Sequence, residues 1–360
     1  MTGAFVIAEA GVNHNGSLAL AKKLVEAAAT VGANAVKFQT FTPERLVLQR
    51  ADKADYQIGY SKGETQFEML KHLELSQEDH FVLSGLAAEL GIEFMSTPFD
   101  LESLAFLAND IGVTRIKISS GDLTNLPLLH AAGQTGLPLI LSTGMANMDE
   151  VRLGLGAVAH GRATRTRNVE VSPGLEGFQE VLSRKDLPTL LDGVTLLQCT
   201  SEYPAPDHET NLLAMQLLVN TFSLPVGLSD HSLGGHLSIA AVALGARVIE
   251  KHLTLDPQAD GPDHRASLDV VAFRELVSSI RSVERALGSG IKSPSQQELR
   301  NAKLARRGLY AARDLDVGDV ITESDIAILR PENHVSPSLY WEIVGSRLTS
   351  TIERGGDLSL

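Results

Sequence analysis

Phe5-Val6-Ile7-Ala8-Glu9-Ala10-Gly11, then Asn13-His14-Asn15-Gly16, then Ser17 with Leu18, Ala21, Leu24, Val25 and Ala28 at helical spacing, sets the pattern of the chain. A short β-rich run from Phe5 to Ala8 gives way to a loop, and Ser17 supplies the oxygen of a helix N-cap. The helix turns Lys22, Lys23 and Glu26 away from its apolar stripe, and Gly32 stops it. The unit recurs. Ala35 to Gln39 reads as a buried strand, Ile92 to Thr97 as another after a helix around Phe81 to Leu90, and Arg115 to Ser119 follows a helix around Leu101 to Asn109. Pro138 to Ser142, Val194 to Cys199, Pro225 to Leu228 and Arg247 to His252 complete eight strand-helix units. Near-continuous apolar strands alternating with amphipathic helices call for parallel strands covered by helices. Eight of them predict an α/β fold of the (β/α)8 TIM-barrel type, with an open doubly wound sheet as the alternative.

The barrel is expected over residues 1–287, a polar linker over 288–303 and a second domain over 304–360. The last domain reads as short strands with Gly-Asp turns, as in Val317-Gly318-Asp319-Val320. The stretch from His160 to Lys185, with four arginines and the Pro173-Gly174 pair, reads as a surface excursion between barrel strands.

Of 360 residues, 43% are apolar and 21% charged, a globular balance. With 31 basic and 44 acidic residues the net charge is −13, which makes nucleic acid an unsuitable partner. An anionic substrate must therefore meet a local cluster of cations. Cys199 is the only cysteine, so disulfides and thiolate metal cages are excluded and metal ligands must be His, Asp or Glu. The opening residues lack a basic n-region, and no apolar run approaches a membrane span, so the expected location is the cytoplasm.

Active sites of such barrels sit at the carboxyl ends of the strands. There the sequence places Glu9, Lys37, Gln39, Ser96, Thr97, Lys117, Ser119, Ser120, Ser142, Thr143, Gln198, Thr200, Asp230, His231, Glu250 and His252. Two lysines and several hydroxyls make a donor-rich pocket suited to a small dianion carrying phosphate and carboxylate. His231 and His252 close consecutive strands and fit one metal ion, with Asp230 and Glu250 beside them to orient the rings. Two imidazoles with oxygen ligands suit Mn2+ or Mg2+ better than structural zinc. His14 stays open between ligand and structural residue. There is no Gly-x-Ser-x-Gly elbow, phosphate-binding loop or dinucleotide fingerprint, which leaves Lewis-acid and general-base chemistry.

Ile7 to Gly16, Val36-Lys37-Phe38-Gln39-Thr40, Ser96-Thr97-Pro98-Phe99, Lys117-Ile118-Ser119-Ser120-Gly121-Asp122, Leu141 to Met145, Gly227 to His231, Glu250-Lys251-His252 and Gly261 to His264 resemble the sialic acid synthase family. The segment after residue 304 resembles the antifreeze-like (SAF, β-clip) domain of those enzymes. The resemblance implies condensation of phosphoenolpyruvate with an N-acyl mannosamine-type sugar to a nine-carbon 2-keto-3-deoxy acid, with release of phosphate. It implies that Lys37 and Thr97 take the carboxylate of phosphoenolpyruvate, and that Lys117, Ser120 and Ser142 take its phosphate. His231 and His252 would bind Mn2+, with Mg2+ possible. Glu9 would transfer a proton, joined by Glu250 and Asp263 as catalytic groups, and Gln39, Tyr203 and Asp263 would position the sugar. The family forms homodimers in which an Arg of the antifreeze-like domain meets the acyl group, here Arg330. Departures are Glu332-Asn333-His334 where Gly-x-Gly is frequent, Asp122 where Glu is frequent, and Ser201 where some members carry Asn. The expected product is of the N-acetylneuraminate type. Legionaminate or pseudaminate, made from a diacetamido-trideoxyhexose, is the alternative, and another phosphoenolpyruvate-condensing deoxy-sugar-acid synthase is more remote. A carbohydrate- or ice-binding protein is the non-enzyme alternative.

Overall fold

Alternation along eight strands decides what this fold presents to the outside and what it keeps within. The structure, a computed structural model, describes residues 3–54, 65–168 and 171–358. The strands are β1 (Phe5–Gly11), β2 (Ala35–Thr40), β3 (Glu93–Pro98), β4 (Ile116–Ile118), β5 (Leu139–Ser142), β6 (Val194–Cys199), β7 (Val226–Asp230) and β8 (Val248–His252). They follow the order β3-β2-β1-β8-β7-β6-β5-β4, every ladder parallel. β1 pairs on one side with β2 and on the other with β8, Phe5 opposite Val248 and Glu9 opposite His252. The first and last strands of the unit are therefore neighbours, as a ring requires. β3 and β4 meet at a seam that carries no ladder, β4 being only three residues long. There Arg115 donates to both carboxylate oxygens of Glu93, at 2.7 and 3.1 Å. The doubly wound alternative falls away.

Successive strand residues face opposite sides. Ile7, Ala35, Met95, Ile140, Leu197 and Val248 form a compact layer of their own inside the ring. Val6, Ala8, Val36, Phe38, Phe94, Leu139 and Leu141 join the main core instead, with Ala21, Leu24, Val25 and Ala28 of the helix Leu18–Thr30. That helix starts as expected, Ser17 accepting from Leu20 N. In β7 the inner position is Gly227, where a Cβ would stand 2.1 Å from the Val248 carbonyl oxygen. Only glycine lets β7 and β8 approach so closely.

The chain divides by its contacts into Met1–Gly288 and Ser289–Leu360. In the second unit β9 (Gly308–Ala311) pairs antiparallel with β10 (Ile326–Leu329), over a core of Leu309, Ala311, Leu315, Ile321, Val335, Ile343, Leu348, Ile352 and Leu358. No helix among the described residues is long and apolar enough to cross a membrane.

Three segments differ from the sequence reading. The helix near Leu101 ends at Ala105 and continues as a wider turn over Phe106–Ile111. The stretch from His160 to Lys185 is no simple surface excursion. His160 lies within the helix Met148–Arg165, fully buried, and Leu175–Leu182 forms a second helix, with Phe178 and Val181 in the core. The polar linker carries a helix, Gln296–Ala305, with none of its residues buried.

Candidate active site at the carboxyl ends of the strands

One layer above Ile7, Ala35, Met95, Ile140 and Val248, two residues further along each strand, the inner face changes to Glu9, Lys37, Thr97, Ser142 and Glu250, and β4 adds Lys117. These residues line a cavity of about 490 Å3 together with Gln39, Ser120, Tyr203, His231, His252 and Asp263. Every barrel residue to which the family resemblance gave a role is thus gathered in one place. Arg330 lies in the second unit, exposed. The strand-end set itself divides by parity. Ser96 faces outward to Thr40 Oγ1 at 2.7 Å, Gln198 donates to the Thr210 carbonyl, and Thr143 donates to the Leu197 carbonyl. None of these three side chains joins the charged centre of the cavity.

Four buried charges form that centre. Lys37 Nζ stands 2.7 Å from Glu9 Oε2, 3.6 Å from Glu250 Oε2 and 3.0 Å from Thr97 Oγ1. Lys117 Nζ stands 3.6 Å from Glu250 Oε1, which also accepts from Ser229 Oγ at 2.8 Å. Burial pushes both carboxyls up, but with opposite outcomes. For Glu9, burial prevails over Lys37, and the neighbouring Glu250 adds to it, so its pKa is pushed up to about 7. For Glu250, Lys117 and Lys37 together outweigh burial and hold it at about 2. Environments that separate two carboxyls in this way assign them different work: Glu250 is a fixed anion that pins two ammonium groups, and Glu9 exchanges a proton near neutrality.

At the β4–β5 side, Gly144 N–H donates to Ser120 Oγ at 3.1 Å, and Ser142 Oγ is buried without a hydrogen-bond partner. A buried hydroxyl left unpaired is costly unless a ligand completes it. Across the cavity, His231 Nδ1 lies 2.7 Å from the Thr200 carbonyl oxygen, and its ring is 4.1 Å from that of Tyr203 and 5.4 Å from that of His252. Donation to the carbonyl leaves Nε2 as the basic nitrogen of His231. His252 Nδ1 is buried with no hydrogen-bond partner, 3.7 Å from Asp263 Oδ2. Burial, His231 and Lys37 hold His252 well below its usual pKa, hence neutral. Burial raises Asp263 to about 6. Among the described residues no group of three His, Cys, Asp or Glu forms a ready-made cage. A neutral His252 with an orphaned nitrogen, beside Nε2 of His231, fits a cation whose remaining ligands are water or substrate oxygens.

The profile of the NeuB family matches residues 24–292, and that of the SAF domain matches residues 306–356. The chain belongs to the NeuB family. It is 47% identical to the N,N'-diacetyllegionaminic acid synthase of Legionella pneumophila over 357 residues, 98% of this chain and 93% of the relative. It is 43% identical to the enzyme of the same name from Campylobacter jejuni over 345 residues, covering 96% and 95%. Among solved structures, the N-acetylneuraminic acid synthetase of Leptospira borgpetersenii in complex with citrate superposes with a TM-score of 0.65 at 30% identity, covering 83% of this chain and 90% of that one. These are nonulosonic acid synthases, and the non-enzyme alternative drops out.

Within this NeuB-family barrel some functional groups escape the strand-end rule. Ser229, two residues before His231 on the same face of β7, holds Glu250; alternation back from the histidine would have found it. The Thr200 carbonyl that fixes the His231 ring is backbone and leaves no sequence signal. A further part of the lining is apolar, with Leu46, Val47, Met69, Leu70, Leu73 and Phe99.

His14 is structural. It is 1% exposed, its Nδ1 accepts from Gly16 N–H at 3.0 Å, and it is absent from the described cavity lining. Burial, helped by His80, lowers its pKa from 6.5 to about 4. The folded state thus refuses a proton that the unfolded chain accepts, so the stability contributed by neutral His14 is full above pH 6.5 and is lost as pH falls towards 4. A shift of that size corresponds to about 3 kcal/mol. Buried His80, His252 and His264 shift in the same direction. Urea unfolding at pH 7 and pH 4.5 should show wild-type stability falling with acid. The His14→Asn protein, which keeps an acceptor for Gly16, should show a visibly shallower fall; identical slopes would remove His14 from this role.

Proposed function

We propose that the chain condenses phosphoenolpyruvate with a 2,4-diacetamido-2,4,6-trideoxy hexose, giving a legionaminate-type nine-carbon 2-keto-3-deoxy acid and inorganic phosphate. One observation carries the phosphoenolpyruvate half: two buried lysines pinned by Glu250, beside an unpaired Ser142 hydroxyl, form an anion site inside an acidic protein. The acceptor half rests on the relatives at 47% and 43% identity, both legionaminic acid synthases, which favour the alternative over the N-acetylneuraminate-type product.

In this reading Lys37 and Thr97 hold the carboxylate of phosphoenolpyruvate, and Lys117, Ser120 and Ser142 its phosphate. Gln39, Tyr203 and Asp263 orient the open-chain sugar so that its C1 faces C3 of the enol. The C2–C3 π pair forms the new C3–C1 bond, the aldehyde oxygen takes a proton, and positive character develops at C2. Water adds at C2 and gives up a proton to Glu9, whose raised pKa suits that exchange. The C2 hydroxyl then loses its proton as the C–O bond to phosphate breaks, leaving the ketone and inorganic phosphate. A divalent ion, Mn2+ or Mg2+, held by His231 and His252 would supply Lewis-acid polarisation of the aldehyde. Arg330 belongs to the same proposal, as the acyl contact in a homodimer.

Phosphate release with phosphoenolpyruvate and Mn2+ across N-acetylmannosamine, its 6-phosphate and the diacetamido trideoxy hexoses tests this. Release with a diacetamido sugar is expected. Release only with N-acetylmannosamine would overturn the acceptor, and silence across the panel would overturn the condensation.

A further inference from the structure

We propose that Leu46, Leu70 and Phe99 form a selecting wall that receives the C6 methyl of the acceptor and turns away a hydroxymethyl or phosphorylated C6; the inference rests on the proposed condensation with a sugar. The three are half-buried and line the cavity whose floor carries the charged centre. They pack on a small separate core of Val12, Phe41, Met69 and Leu73, with Phe99 edge-on to Phe41 at 6.1 Å. The wall is stapled from outside. Arg45, next to Leu46, reaches Asp100 at 3.2 Å and Glu102 at 2.6 Å beside Phe99, and Lys71, next to Leu70, reaches Glu44 at 3.2 Å. Such exposed pairs add little stability, but they tie three separate segments into one surface.

Charge makes the same distinction. Among the described lining residues the only lysine or arginine side chains are Lys37 and Lys117, and both already face Glu9 or Glu250. The remaining ionisable lining groups include the carboxyl of Asp263. A phosphate set against that wall would find no lysine or arginine among the described lining residues other than the two lysines of the charged centre, and would have to shed its water against leucine and phenylalanine. A methyl instead covers apolar surface that water would otherwise wet. A hydrophobic slot rejects an analogue that merely adds a hydroxyl by no more than about 100-fold, enough to set preference without a polar reader.

The test uses sugar pairs that differ only at C6, methyl against hydroxymethyl, in the diacetamido and the monoacetamido series, with phosphate release as the readout. Wild type should prefer the methyl member. Leu70→Gln should shift the ratio of kcat/KM between members by about 10-fold or more towards hydroxymethyl, with the KM for phosphoenolpyruvate within about twofold. Leu46→Gln provides a second position should the first variant melt early. Equal losses for both members of a pair in a folded variant, or no C6 preference in wild type, would overturn the wall. Turnover confined to the monoacetamido pair would overturn the diacetamido reading while still reporting on the wall.

Discussion

Lys117→Met is expected to lower kcat/KM for phosphoenolpyruvate by about three orders of magnitude, with the KM of the acceptor within about a factor of two. Lys117 is 3% exposed, and its ammonium faces Glu250 from a strand end otherwise lined by hydroxyls. Methionine fills much of the same volume without the charge, so the barrel should keep its fold. What disappears is one of the two cations that meet a multiply charged ligand away from water. Truncating one partner of such a buried charged contact costs about 2 to 5 kcal/mol, and about 4 kcal/mol is a thousandfold. Ser142→Ala removes a single neutral donor and should cost about tenfold. Steady-state phosphate release on both variants decides the matter. If Lys117→Met loses no more than Ser142→Ala, Lys117 is a structural counter-ion of Glu250 and the phosphate assignment is wrong.

The contrast between those two residues also shows what was legible beforehand. Strand-helix alternation named the barrel because parallel strands covered on both sides are apolar runs, and helices that cover them are one-sided. The carboxyl-end rule then found Lys37, Lys117, His231 and His252. It did not separate Glu9 from Ser96 or Glu250 from Asp230, because facing depends on where each strand begins to alternate, and that phase is fixed by ladders to neighbours. The wall of Leu46, Leu70 and Phe99 was illegible for a different reason. An apolar residue that faces a cavity has the same composition and spacing as one that faces core, and only packing around Phe41 and Met69 distinguishes them. The misreading of His160 follows from treating polarity as exposure. Its ring is fully buried and satisfied by His130 at 3.1 Å and the Val171 carbonyl at 2.9 Å.

Asp230 is the strand-end residue whose role the outward-facing side reverses, and Asp230→Ala should destabilise the barrel by about 3 to 5 kcal/mol. It pairs with Lys251 at 3.1 Å, both side chains fully buried, directly across the β7–β8 ladder. One Asp230 oxygen accepts from Ser232 N–H and Ser232 Oγ at 2.9 and 2.6 Å, and the other from Ser238 Oγ at 2.5 Å. Its removal therefore leaves the Lys251 ammonium with the Ser232 carbonyl as its remaining acceptor and strands three donors at once. Lys251→Met should cost less, because Asp230 keeps those three donors, and a buried carboxylate so supplied tolerates the loss of its cation better than a buried ammonium tolerates the loss of its anion. Urea unfolding of the two single variants measures the asymmetry, and equal losses would refute it. The next residue along each strand is His231 or His252. The pair thus braces, from outside the ring, the register in which the two imidazoles enter the cavity, although neither member is among the described residues of the cavity lining.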